Sequence, residues 1–450
     1  MKSIFRNAGH YAIAAAAFFL TGAGAHAELA VSANDGKQLR PGDTINYVEP
    51  DSVTVLDITG KGVRRMGTVA APACMIGSPT AVAVSRDSRF AIVSACEKME
   101  GGKLVANDTA SVVDLSSPSS PRVIQTIHTG NRPGGVSISP NGRLALIANS
   151  EDSSVSVFTI AGKTLAAAGT AKLPEKSGPS DVVFTPDGKT AIAIGRGDSH
   201  LMILSVNGSQ VTYTGRSFSP GLNPYGAVVT HDGKYVINTN LGGALPPPGS
   251  PPPGRRARRI GTVSMSDIAT GKLAQSVDVG PTPEHIAMSG DGKYIAVVVA
   301  NGTASVRSDP KWDQVLGLLE IYKVGDGTLA PAGRSDTGHW CQGATFSRDN
   351  RTILLQCAAE REIEVFHYDG SNLTWDKGAS IPMGARPNPS GLRGWIPARR
   401  APDGPSHRPT PSVRSPMSPA PGAGTGCREA LPPALIHRPV TAIRIRTMGV

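Results

Sequence analysis

The chain has 450 residues, with 45 Lys and Arg against 35 Asp and Glu, for a formal net charge of +10. That charge is unevenly placed: residues 394–450 carry +6, the insertion at 244–259 carries +4 and the first 27 residues carry +2, leaving about −2 for the remainder. Nucleic-acid binding, which needs cations grouped on a folded surface, therefore has little support.

In chain order, Lys2 and Arg6 precede the apolar run Tyr11–Leu20, and Ala25-His26-Ala27 is a small-x-small cleavage box. Residues 1–27 read as a secretory signal, with an uncleaved anchor as the alternative. The run of ten apolar residues is too short to span a bilayer, and no other segment could cross one. The mature protein is expected to be periplasmic or secreted, with no transmembrane segment after cleavage.

Leu29–Asn34, Asp51–Ile58 and Val63–Val69 then read as the second, third and fourth strands of a unit that lacks its innermost strand. From Pro79 onward one phrase restarts repeatedly: a Pro, a short apolar strand, a turn around Asp-Gly and a second strand. Its starts are Pro79, Pro133, Pro179, Pro224, Pro283, Cys341 in the proline place, and a shortened Pro389, spaced by 54, 46, 45, 59, 58 and 48 residues. A four-stranded propeller blade takes about 40–50 residues. The turns fall at Asp87, Asn141-Gly142, Asp187-Gly188, Asp232-Gly233, Asp291-Gly292 and Asp349-Asn350, residue types that tolerate the positive φ of a tight hairpin. Val136 and Ile138, Val182 and Phe184, and Ile286 and Met288 alternate with period two, which excludes a helical solenoid.

The expected fold is an all-β, seven-bladed β-propeller of four-stranded antiparallel blades over residues 28–393. Pro389–Arg393 is expected to supply the missing inner strand of the first blade and so close the ring.

Glu97–Asp108 and Asn301–Val315 lengthen the loop between second and third strands, as a lid, a partner-binding rim or plain surface, with Trp312 as a possible anchor. The Pro/Arg-rich insertion Ala244–Arg259 and the tail 394–450 break the pattern and read as disordered. The tail holds 11 Pro and 8 Arg but no Lys, a texture that fits either a shifted reading frame or a true basic extension.

A hairpin centred between Asp349 and Asn350 sets Cys341 opposite Cys357, at the separation a cross-strand disulfide bridges. Cys74 and Cys96 form a second pair if the loop before Pro79 folds back. Export to an oxidising compartment favours both bridges; Cys427, in the tail, is the odd cysteine. No Cys-x-x-Cys-His supports covalent haem, and the histidines are too scattered to mark a metal site, so neither cofactor nor metal is expected.

These units resemble the YVTN-type repeats of bacterial seven-bladed propellers, and Gly338-His-Trp-Cys-Gln-Gly343, Leu355-Gln-Cys357 and Thr282-Pro-Glu-His-Ile-Ala287 resemble segments of an exported subgroup. The resemblance covers residues 28 to 393. It implies the fold more firmly than an activity, because related propellers include lactonases, cycloisomerases, subunits of redox enzymes and binding scaffolds.

Propeller ligands sit at one mouth of the central channel. The family phrase has Gly two residues after the Pro, where strands crowd the axis. Gly135, Gly226, Gly343 and Gly391 keep it and Ala81 is nearly as small, but Asp181 and His285 break it. Glu284 is adjacent, and Arg132, Tyr225, His339, Trp340 and Arg386 stand near the same level in their own blades. The functional reading makes Asp181, Glu284 or His285 the acid or base, with Arg132 or Arg386 holding an anionic group, to activate water against an ester or lactone carbonyl. The structural reading has Asp181 capping loop amides, His285 bonding a carbonyl of a neighbouring blade and Trp340 packing beside the Cys341 bridge. No Gly-x-Ser-x-Gly elbow appears, which argues against a serine hydrolase. Three functions follow as expectations: a binding scaffold for an unknown protein or small-molecule ligand, a metal-independent lactonase-like hydrolase or cycloisomerase, or an accessory subunit of a redox system.

Overall fold

The computed structural model describes residues 28–37, 50–59, 62–74, 80–242, 260–303, 312–384 and 386–387. The signal segment, the 244–259 insertion, Pro79, Pro389–Arg393 and the tail with Cys427 lie outside the described residues.

Seven antiparallel sheets follow one another along the chain, and helix is almost absent. Blades 2 to 7 each run in sequence order from inner to outer strand. Blade 3 is representative, with strands Pro133–Ile138, Leu144–Asn149, Ser154–Ala161 and Thr164–Lys172. The inner strands of the others are Val82–Val84, Pro179–Phe184, Pro224–Val229, Pro283–Met288 and Cys341–Phe346.

Blade 1 contains Leu29–Asp35, Ser52–Asp57 and Arg64–Ala70, and its inner place is filled from the far end of the chain by Arg386–Pro387. The pairing is Asp35 with Arg386 and Asn34 with Pro387. The C-terminal end of the repeat region thus completes blade 1, through Arg386–Pro387; the expected closing residues 389–393 lie outside the described residues.

The hydrophobic core is divided among the blade interfaces, one cluster to each. Val31, Val53 and Val93 pack blades 1 and 2 together; Ile92, Val112 and Ile147 pack 2 and 3; Leu146, Val182 and Met202 pack 3 and 4. Ile192, Leu201 and Val236 serve 4 and 5; Ile237, Val263 and Val297 serve 5 and 6; Val298, Leu319 and Phe366 serve 6 and 7. Leu56, Leu354 and Val365 join blade 7 to blade 1. The second strands bury both faces in this way, which is why Leu-Ala-Leu-Ile-Ala-Asn (144–149) reads as a continuous apolar run, whereas outer strands such as Thr164–Lys172 are largely exposed.

The turn between inner and second strands has one construction in six blades. A Ser or Thr hydroxyl donates to the Asp or Asn two residues on: Ser85 to Asp87, Ser139 to Asn141, Thr185 to Asp187, Thr230 to Asp232, Ser289 to Asp291 and Ser347 to Asp349. The same carboxylate or amide oxygen accepts the backbone N–H two residues later, as in Lys189 to Asp187. The intervening residue is left-handed, with φ of 56° at Ser88, 69° at Gly142 and 61° at Asn350, so glycine, or a small polar residue in its place, is required there.

Glu97–Asp108 differs from its expected form as a loop. The second and third strands of blade 2, Phe90–Glu100 and Lys103–Asp114, continue as a paired hairpin to Glu100 and Lys103 after an irregularity between Ala95 and Glu97. The alternation of charged and apolar residues Lys98, Met99, Glu100 and Lys103, Leu104 suits a two-sided ribbon in water. Of the 301–315 stretch, Trp312–Gln314 forms a short 3-10 turn.

Both disulfides are present. Cys341 and Cys357 are direct cross-strand partners with Cα atoms 3.9 Å apart. Cys74, in the segment leaving blade 1, joins Cys96 in the second strand of blade 2 across a Cα separation of 5.5 Å. Among the described residues no helix is long and apolar enough to cross a membrane.

Candidate functional site

The inner strands carry a recurrent irregularity at their entry. Register shifts fall between Pro133 and Val136, Pro179 and Asp181, Pro224 and Ala227, Pro283 and His285, and Cys341 and Gly343. Such bulges remove backbone groups from the ladder and re-aim side chains, here beside the channel. The freed amides must find partners.

Asp181 supplies two of them. Its Oδ1 accepts the N–H of Val182 at 2.8 Å and its Oδ2 accepts the N–H of Ala227, in the next blade, at 3.2 Å. The Thr80 hydroxyl of blade 2 also donates to Oδ1. The carboxylate therefore spans three blades from a fully buried position. Gly135 lies beneath it: a Cβ there would stand 2.6 Å from Thr80 Oγ1 and 2.7 Å from the Asp181 Cα.

His285 occupies the same place in blade 6. Its Nδ1 accepts the N–H of Ala344 in blade 7 at 3.2 Å, which puts the ring proton on Nε2. Through Nδ1 the imidazole thus ties blade 6 to blade 7 at an amide beside the blade 7 bulge.

One position earlier in each inner strand, the side chains differ in kind: Ser180, Tyr225, Glu284 and Gln342. Ser180 donates to the Tyr225 carbonyl at 2.8 Å and so ties blade 4 to blade 5. Glu284 is 8% exposed, and burial pushes its carboxyl up to about 8; the nearby charge of Arg196 and a hydrogen bond with Gln342 pull the other way but do not offset burial. Arg196 comes from the turn after the second strand of blade 4, and its guanidinium carbon lies 5.3 Å from the centre of the Tyr225 ring, within cation-π range. Side chains from four consecutive blades, 4 to 7, thus meet around one buried acid and one exposed cation.

Sequence reasoning singled out Glu284 and Tyr225 but missed Arg196 and Gln342. The available signal for Arg196 was its place between Gly195 and Gly197, in a turn on the same face as the inner-strand starts. Backbone crowds both glycines, since a Cβ on Gly195 would stand 2.9 Å from the His200 carbonyl oxygen and one on Gly197 would collide with the Lys176 carbonyl.

The other candidates belong to separate constellations. Arg132 is paired with Glu97 at 2.7 Å and Glu151 at 3.4 Å, joining blades 2 and 3. His339 stacks on Trp312 with ring centres 3.6 Å apart, donates from Nε2 to the Trp312 carbonyl at 2.8 Å, and meets Glu360 through Nδ1 at 2.5 Å. Trp312 is thereby held against His339 of blade 7. Trp340 packs on Ala358, and its backbone N–H donates to Thr303 Oγ1 at 3.0 Å. Arg386 enters through its backbone, in the closing strand.

A further buried acid was not foreseen. Glu364 is fully buried beside the Cys341–Cys357 bridge, accepts the Gly338 N–H at 2.9 Å, and is pushed up to about 9 by burial first and by neighbouring Glu360 next. Sets of three metal-ligating atoms among the described residues comprise the two cystines with Glu97 and with Glu364, and a cystine sulfur lacks the thiolate charge that metal ligation uses.

No family model matches the chain, and no curated protein matches it in sequence. Solved structures do match. A provisionally named 6-phosphogluconolactonase from Bacteroides fragilis is 20% identical, with a TM-score of 0.58 over 82% of this chain and 98% of that one. The periplasmic gluconolactonase of Pseudomonas aeruginosa is 17% identical, with a TM-score of 0.59 over 83% of this chain and 99% of that one. The hydrazine synthase of Kuenenia stuttgartiensis is 17% identical, with a TM-score of 0.52 over 73% and 98%. At these identities the likeness is one of fold: a seven-bladed propeller with lactonase-like structural neighbours.

Proposed function

We propose that this chain is an exported propeller, periplasmic or secreted, that binds a small molecule at one mouth of its channel. The observation that carries the reading is the convergence of Arg196, Tyr225, Glu284 and Gln342 from four blades. Two of the three acid–base candidates, Asp181 and His285, have acceptor atoms engaged by backbone amides of neighbouring blades, which supports a holding role for them over a chemical one. Export is supported by the leader-like sequence of residues 1–27 and by the two disulfides.

A second reading, hydrolysis of a lactone, is favoured by one specific feature. Glu284 keeps its proton near neutral pH, as a general acid needs, and folds of this kind include proteins named as gluconolactonases.

The test is a thermal-shift screen of small hydroxylated acids, lactones and sugars on the full chain and on an Arg196→Ala/Glu284→Ala double variant. Ligands that stabilise the wild type and lose their effect in the variant support the reading. Ligands that stabilise both equally place the site elsewhere and remove it.

A further inference from the structure

We propose that a cavity on the flank between blades 2 and 3 is a second binding site, and that it takes one neutral monosaccharide. It stands apart from the channel mouth, over the third and outer strands of blade 3, Ser154–Ala161 and Thr164–Lys172.

The cavity has a volume of about 280 Å³. Ligand clefts begin at about 300 Å³, so it suits a single ring rather than a chain. Its floor holds Ser154 and Ser156, which are 1% and 5% exposed, with Lys172 and Thr170 as their cross-strand partners. Asp152 and the Thr129–Gly130 turn that leaves blade 2 form the facing wall. A Cβ on Gly130 would stand 2.6 Å from Asp152 Oδ2, so a bare peptide edge there lets the carboxylate lie close.

The same positions in blades 1 and 5 are satisfied within the protein. In all three blades an Asn near the end of the second strand donates from Nδ2 to two hydroxyls of the third. The sets are Asn34 to Ser52 and Thr54, Asn149 to Ser154 and Ser156, and Asn240 to Thr262 and Ser264. In blade 1 the Thr54 hydroxyl then meets that of Thr68 at 3.1 Å, and in blade 5 Ser264 donates to the Pro220 carbonyl at 2.6 Å. In blade 3 Ser156 instead accepts a second N–H, from Gly130 at 3.1 Å, and Thr170, in the place of Thr68, makes no hydrogen bond among the described residues. The hydroxyl protons of Ser154 and Ser156 are likewise undonated among those residues. Buried hydroxyls stripped of water favour an incoming acceptor.

The cavity also accepts. Each Asp152 oxygen is engaged by one donor, the Asn131 N–H at 2.7 Å and the Asn131 side-chain amide at 3.1 Å, and keeps a lone pair for another. Lys172, which makes no ion pair among the described residues, and Asp152 are opposite in charge. His128 on the rim lies 3.0 Å from Asp108, and Glu151, beside Asp152, is paired with Arg132 at 3.4 Å. No excess charge remains for an ion to neutralise. A neutral ligand that gives acceptors to hydroxyls and an ammonium, and donors to a carboxylate, is polyhydroxylated, and a sugar ring supplies those groups within the available space.

The experiment is calorimetric titration of the full chain with D-glucose, D-galactose and D-mannose, each beside its amino sugar and its uronic acid. The proteins are wild type, Thr170→Val, Ala167→Trp and Arg196→Ala/Glu284→Ala. Thr170 and Ala167 are exposed lining residues, so their variants should keep the wild-type thermal midpoint. At least one neutral sugar is expected to bind, with its charged counterparts about tenfold weaker or worse. Thr170→Val should weaken it about fivefold, the loss of one hydrogen bond, and Ala167→Trp, whose ring fills the cavity, should abolish it. The channel-mouth double variant should bind it as the wild type does. Absence of sugar binding, or binding that survives Ala167→Trp or is lost in the mouth variant, overturns the site. Charged sugars that match the neutral one overturn the choice of ligand.

Discussion

Asp181 of blade 4 accepts the backbone N–H of Ala227 in blade 5 at 3.2 Å, and this single bond explains why a carboxylate stands where the repeat calls for glycine. The inner-strand bulge leaves that amide without a ladder partner, and a buried orphan amide is costly. His285 does the same for Ala344 two blades further on.

Removing the Asp181 carboxylate strands three donors at once: Thr80 Oγ1, the Val182 N–H and the Ala227 N–H. Asp181→Ala is expected to cost about 2–4 kcal/mol, read as a shift in the urea midpoint at unchanged slope. Gly135→Ala, whose new methyl would press on Thr80 Oγ1 at 2.6 Å, is expected to cost about 1–3 kcal/mol by overpacking. If Asp181→Ala melts like the wild type, the three-blade staple carries no stability.

Glu364 and Glu284 set the pH dependence of stability. Their ordinary value is 4.5, and in the fold burial raises Glu364 to about 9 and Glu284 to about 8. The folded chain therefore holds these protons more tightly than the unfolded chain. Their contribution is full below pH 4.5 and is lost as pH rises through 8 and 9, so the thermal midpoint should fall between pH 6 and pH 10. Glu364→Gln, which mimics the protonated form, should flatten part of that fall. A midpoint in the variant that drops as steeply as in the wild type would show that Glu364 is ionised in the fold.

The Cys341–Cys357 bridge closes a loop with a sequence separation of 16, for which chain entropy gives about 3 kcal/mol. Cys341→Ser/Cys357→Ser should lower the thermal midpoint by several degrees, and dithiol treatment of that variant should lower it further through Cys74–Cys96. Thiol titration of the unfolded, unreduced wild type should find one free thiol, Cys427, among the five cysteines.

Closure depends on Arg386 and Pro387, whose pairing with Asp35 and Asn34 covers the inner edge of blade 1. A chain cut after Gly384 should melt below one cut after Arg393, by about 1–2 kcal/mol of lost pairing. Coincident melting curves would remove Arg386–Pro387 from the stabilising contacts of the ring.

The fold was legible because the information repeats. Six Ser/Thr-x-Asp/Asn turns each fix one hairpin by the same pair of side-chain bonds, and the register of one of them alone sets Cys341 opposite Cys357. The closing strand was harder to place, since Arg386–Pro387 is two residues long and one of them lacks an amide to advertise the pairing. The 97–107 hairpin hid behind its charged residues. At the candidate site, Glu284 was visible as a position in the phrase, whereas Arg196 sits in a turn between strands with no phrase of its own. Its significance comes from the Tyr225 ring in the next blade, and no spacing along the chain records that contact. The bulges escaped notice for a related reason: they are defined by the partner strand, so Asp181 and His285 looked equally suited to chemistry and to bracing.

Whether the mouth binds or also turns over its ligand is decided most directly by measuring hydrolysis of sugar and aliphatic lactones by the full chain beside Glu284→Gln. The account predicts rates equal to the spontaneous reaction in both proteins, with the corresponding hydroxy acid bound by the wild type. Turnover by the wild type that disappears in Glu284→Gln would contradict a binding propeller and make Glu284 the general acid of a lactonase.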